Sequence, residues 1–91
     1  MSHWDTDGVL IDVGRKIEGL RKRAHMTHAE LAKRLGVKKE VVIKIEKGQY
    51  NMLLETLMEI AWIFGRRLRI SFIKRRGAYD LDQGGQKASK A

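Results

Sequence analysis

Lys38, Lys39, Lys44 and Lys47 fall within a single short stretch, inside a longer block, residues 15–47, where eleven Lys and Arg stand against four acids. A second block, residues 66–76, carries six bases and no acid. Fixed cations at this density suit a polyanion, because each neutralised phosphate releases a condensed counterion. A charge run by itself is often only a solvated face, so its meaning depends on the element that carries it. Other chemistry lacks the partners it needs. His25 and His28 are three apart, but Thr27 starts a helix between them, and His3 lies in a loose end with no acid pair nearby, which argues against a metal site. Ser71 has no candidate His base close in sequence. The pair Gly84-Gly85 sits in a tail rather than in a phosphate loop. The chain has no cysteine, which excludes a disulfide scaffold, a thiolate zinc site and a cysteine nucleophile. No nucleophile, base and oxyanion donor converge, so no enzyme, cofactor or metal is expected.

The elements that would carry the basic residues are helices. The first is expected from about Asp12, as N-cap, to Ala24, with Ile17, Leu20 and Ala24 at helical spacing. The second starts at a capping box, Thr27-His28-Ala29-Glu30, in which Thr27 accepts from the Glu30 amide and Glu30 reaches back. It carries Leu31, Ala32 and Leu35 and stops at Gly36 in a left-handed conformation. The third runs from Lys38 to Lys47, with Val42 and Ile45 inward and Gly48 as its stop. The fourth covers Leu54 to Phe64, stops at Gly65, and turns Leu57, Ile60, Ala61 and Phe64 to the core. Leu68, Ile70 and Phe72 then alternate on one face with β-branched and aromatic neighbours, which predicts a strand over 68–73. This chain offers that strand no second strand to pair with.

With 91 residues, 43% of them hydrophobic, and a net charge of +8, the chain has material for one small packed domain. Residues 1–8 and 77–91 read as flexible ends and 9–76 as the domain. The polar, acidic start is no secretory signal, and no apolar run is long enough to span a bilayer. A reducing, cytoplasmic setting without a membrane is expected.

Helix two, the turn Gly36-Val37-Lys38 and helix three have helix-turn-helix spacing. Residues 17–72 resemble the Xre/Cro-type helix-turn-helix proteins. The likeness rests on Leu20-Arg21, Thr27-x-x-Glu30-Leu31-Ala32, Leu35-Gly36-Val37, Ile45-Glu46-x-Gly48 and Leu54-Glu55-Thr56-Leu57 leading to Ile60-Ala61. The resemblance implies an all-α bundle of four to five helices whose third helix enters the major groove. It implies base-edge contacts from Lys39, Glu40, Ile43 and Lys44, and phosphate contacts from His28, Lys38 and Lys47. It also implies a structural ion pair between Arg21 and Glu46. The chain departs from the family pattern at His28, where Gln is usual, at Lys38, where Ser or Thr is usual, and at Met52, where Pro is common. Val41 and Ile43 stand where most members carry small or polar residues.

The run Gly65 to Phe72 looks like the C-terminal strand of antitoxins of the HigA and HipB kind, in which two strands pair across a homodimer. Pairing with a symmetry mate would satisfy the row of unpaired backbone groups. Met58 and Trp62, four apart on helix four, would lie with Leu68, Ile70 and Phe72 at that seam. The expected function is sequence-specific repression through an inverted-repeat operator in double-stranded DNA, as the antitoxin of a toxin partner that autoregulates its operon. A stand-alone phage or plasmid repressor, or a protein-interaction module with a degenerate DNA-reading helix, are the alternatives.

Overall fold

The computed structural model describes residues 6–74. They form four helices: α1 (Thr6–Arg23), α2 (His28–Leu35), α3 (Lys39–Glu46) and α4 (Leu54–Ile63). The core is small and drawn from all four: Ile17 of α1, Leu31 and Ala32 of α2, Val42 and Ile45 of α3, and Ile60 of α4. Val13, Leu35, Val37, Val41, Leu57 and Phe64 pack around it, half-buried.

The first helix begins at Thr6 rather than Asp12, which sits exposed inside it. The reason lies in the apolar register. Leu10, Val13 and Ile17 continue the inward stripe backwards at spacings of three and four, so the helix extends as far as that stripe has something to cover. The part of the expected loose N-terminus that is described, residues 6–8, is therefore helical. Two glycines let the α1 backbone approach its neighbours. A Cβ on Gly14 would stand 2.5 Å from the carbonyl oxygen of Ile45 and 2.6 Å from that of Glu46. One on Gly48 would stand 2.7 Å from the Ile11 Cα, at a φ of 75°. The α1–α3 packing is thus backbone against backbone.

All four helices close in the same way. A residue of positive φ stands just past each helix, at His25, Gly36, Gly48 and Gly65. The amide one residue later reaches back to a carbonyl in the last turn: Met26 to Arg21, Val37 to Ala32, Gln49 to Lys44 and Arg66 to Ala61. This left-handed cap satisfies carbonyls that the helix end leaves open. Glycine adopts it without a steric cost, which is why three of the four stops are legible in the sequence.

The expected strand is not formed. Residues 66–74 are outside any helix or strand, and no strand occurs among the described residues. A lone strand has no ladder to join within one chain. Instead, residues 66–71 lie along a groove with Val13, Leu20, Leu57 and Ala61 of α1 and α4. Leu68 is half-buried there, Ile70 is exposed, and Phe72 is 99% exposed. The proposed tail, residues 77–91, lies outside the described residues.

Candidate nucleic-acid interface

The α2–α3 pair is built from its ends. At the start of α2 the Thr27 Oγ1 accepts from the Glu30 amide at 3.0 Å. The Thr27 amide donates to Glu30 Oε1 at 2.7 Å, which closes the capping box. At its end Gly36, with φ 73°, turns the chain into Val37 and Lys38. Lys38 is the N-cap of α3 and makes no side-chain cap bond, since an ammonium has no acceptor to offer the helix amides.

Burial along α3 separates its faces. Val42, Ile45 and Glu46 are buried, and Val41 packs against the core. Lys39, Glu40, Lys44 and Lys47 are exposed, and Ile43 is half-exposed between them. Glu40, Lys44 and Lys47 stand four and three apart, so they line one outer stripe. The structure thus brings Lys39, Glu40, Ile43, Lys44 and Lys47 to one outward surface of α3, with Lys38 exposed at its head. Val41 belongs inside, where its apolar side chain helps seat α3. That surface can donate to guanine O6 and N7, accept from a cytosine amino group and touch a thymine methyl.

Behind this surface lies a buried polar network. Arg21 Nε donates to Glu46 Oε2 at 2.6 Å and its Nη2 to Oε1 at 3.1 Å. The same guanidinium donates from Nη1 to the Met26 carbonyl at 2.9 Å. One fork therefore ties the end of α1 both to α3 and to the turn that starts α2. The hydrogen bonds to Glu46 raise the Arg21 pKa above its usual value, outweighing the opposing effect of burial. Both side chains are nearly inaccessible, so removing one partner would strand a buried charge, at a cost of about 3–5 kcal/mol.

His28 is the member of this network that sequence reasoning missed. Its Nε2 lies 3.0 Å from Glu46 Oε1, so the residue expected only at a phosphate is also held from behind. The separation of eighteen residues hid this pairing; the signal available was an imidazole at the head of α2 near the end of α3.

The seam expected from Met58, Trp62, Leu68, Ile70 and Phe72 lies between two chains, and the single chain leaves all of these but Leu68 exposed. Trp62 is 81% exposed and Met58 54%, and with Leu54 they form a line four residues apart along the outer face of α4.

Two short helices, a glycine turn, a basic outer stripe on the second helix and an inter-helix ion pair behind it define a helix-turn-helix domain. The comparisons agree: the helix-turn-helix family, of the Xre type, matches residues 17–70, and the chain belongs to it. An uncharacterized HTH-type transcriptional regulator of Archaeoglobus fulgidus is 40% identical over 58 residues, spanning 64% of this chain and 82% of the relative. A second such regulator from the same archaeon is also 40% identical over 58 residues, spanning 64% of this chain and 83% of the relative. One from Methanocaldococcus jannaschii is 38% identical over 58 residues, spanning 64% of this chain and 88% of the relative. No helix among the described residues is long and apolar enough to cross a membrane.

Proposed function

We propose that the protein is a cytoplasmic, sequence-specific transcriptional repressor that lays α3 in the major groove of its operator. The observation that carries this reading is the division of α3 into a core face, Val42 and Ile45, and a basic outer stripe, Lys39, Lys44 and Lys47. Lys39, Glu40, Ile43 and Lys44 read base edges, while His28, Lys38 and Lys47 hold phosphates and set the register. Two copies, paired through the exposed α4 face and residues 68–73, present two such helices to an inverted repeat. The half-sites are then about one helical turn apart, roughly 34 Å. The antitoxin role is the context we favour, with a toxin bound on apolar surface left by that dimer. The exposed Leu54–Met58–Trp62 line supports a protein partner of some kind, and a toxin-like reading frame adjoining the gene is the check. Integrase or lysis genes there would favour the stand-alone repressor.

A selection from random duplexes followed by titration tests the DNA reading. Affinity should fall by about 10³–10⁵ between about 50 and 200 mM salt if a dimer neutralises about six to ten phosphates. Lys44→Ala should cost about 1–3 kcal/mol and relax preference at one base pair, whereas Lys47→Ala should weaken all sequences alike. No selected site and a flat salt response would leave a protein-interaction module as the better description.

A further inference from the structure

We infer that His28 couples DNA binding to proton uptake, because its imidazole donates to a backbone phosphate only as the imidazolium, so that the complex tightens as pH falls. The inference rests on the DNA reading above. A carboxylate accepts hydrogen bonds and donates none, so the His28 Nε2 that meets Glu46 Oε1 at 3.0 Å must carry a hydrogen. In the neutral ring Nδ1 then presents a lone pair. Phosphate oxygens also present only lone pairs, and the two repel. One proton added at Nδ1 turns that clash into a charge-assisted bond while Nε2 keeps its hold on Glu46.

Nδ1 is not sealed from solvent. The imidazole is 35% exposed, Glu46 is the partner the structure gives it, and no buried side-chain nitrogen or oxygen among the described residues lacks a partner. Charged groups face the ring from each element packed against it. From α3, the Glu46 carboxylate favours the imidazolium. From α1, Arg21 occupies both oxygens of that carboxylate and opposes a second cation beside it. The positive end of α2 opposes it as well. On His28's own helix, Glu30 is turned back to the Thr27 amide by the capping box. A phosphate arriving on the solvent side supplies the missing anion. Imidazole is the side chain whose charge ordinarily changes between about pH 5 and 8, which sets the range to be measured.

A phosphate contact exists with any sequence, so a random-sequence duplex is a sufficient probe. Its Kd, measured at constant ionic strength from about pH 6 to about pH 8, should rise with pH by up to about tenfold per unit for each His28 engaged, and so by up to about a hundredfold for a dimer. Calorimetry of the unaltered protein in buffers of different ionisation enthalpy should show net proton uptake on binding. His28→Gln, whose amide donates at every pH, should flatten the dependence whatever its absolute affinity. His25→Asn, which tolerates the left-handed turn at that position, should keep it. Salt-sensitive binding without proton uptake, or a pH slope that persists in His28→Gln, would overturn the coupling and leave the DNA reading standing. No binding at any pH would remove both.

Discussion

Gly14 shows how a single missing carbon sets the geometry of the domain. Alanine favours a helix interior over glycine, so on propensity alone Gly14→Ala would stabilise α1. Its Cβ would instead meet two α3 carbonyls, which cannot swing aside as a side chain can. Gly14→Ala should therefore lower stability in urea by about 1–3 kcal/mol. Gly19 is the control: a Cβ there meets only the far end of Arg23, at 3.5 Å. Gly19→Ala should raise stability by about 0.5–1 kcal/mol, and the opposite signs are the point of the comparison. The role of Gly14 was not legible in the sequence, because nothing local distinguishes one helical glycine from the other. His25 escaped notice for a related reason: it holds the left-handed cap position, φ 56°, that glycine holds at the other three helix ends.

At the scale of elements, the helix ends were the most legible features, because capping depends on a few residues close in sequence. Thr27 and Glu30 close their box, and Gly36, Gly48 and Gly65 end their helices with positive φ. The α1 start is less legible, because Thr6 and Leu10 gain their meaning only from the surface that the apolar stripe of α1 covers. Lys38 exposes a compromise at the head of α3. It sits where a hydroxyl would cap the helix, yet its ammonium can only serve an outside anion. Lys38→Ser should stabilise the free protein by about 1 kcal/mol in thermal unfolding. The same change should weaken DNA binding evenly across sequences and reduce the salt slope by about 1 per site.

For the whole molecule, α4 and the segment after it leave Met58, Trp62, Ile70 and Phe72 exposed to solvent. Phe72 is 99% exposed, so it contributes almost nothing to the folded chain by itself. On the dimer reading, Phe72→Asp should leave the helix signal and unfolding free energy of the single chain within about 0.5 kcal/mol of the original. In sedimentation the same variant should shift towards monomer and lose affinity for a two-site operator. A variant that stays dimeric would move the seam to the Leu54–Met58–Trp62 face alone, where Trp62→Glu is the corresponding probe.

Local pattern was enough for the four helical segments, the Thr27–Glu30 capping box, the glycine stops, the inward residues of α2 and α3 and the family, because periodicity and capping act within a few residues. The sequence also contained the Arg21–Glu46 pairing, through the resemblance rather than through spacing. The close approach at Gly14, the inward turn of Val41 and the attachment of His28 to Glu46 came from the packing instead, since each depends on how helices far apart in the chain meet. The segment 68–73 marks the boundary between the two. Its alternation satisfies the local rule for a strand, but a strand is a hydrogen-bonded ladder, and a ladder needs a partner that no local pattern can supply.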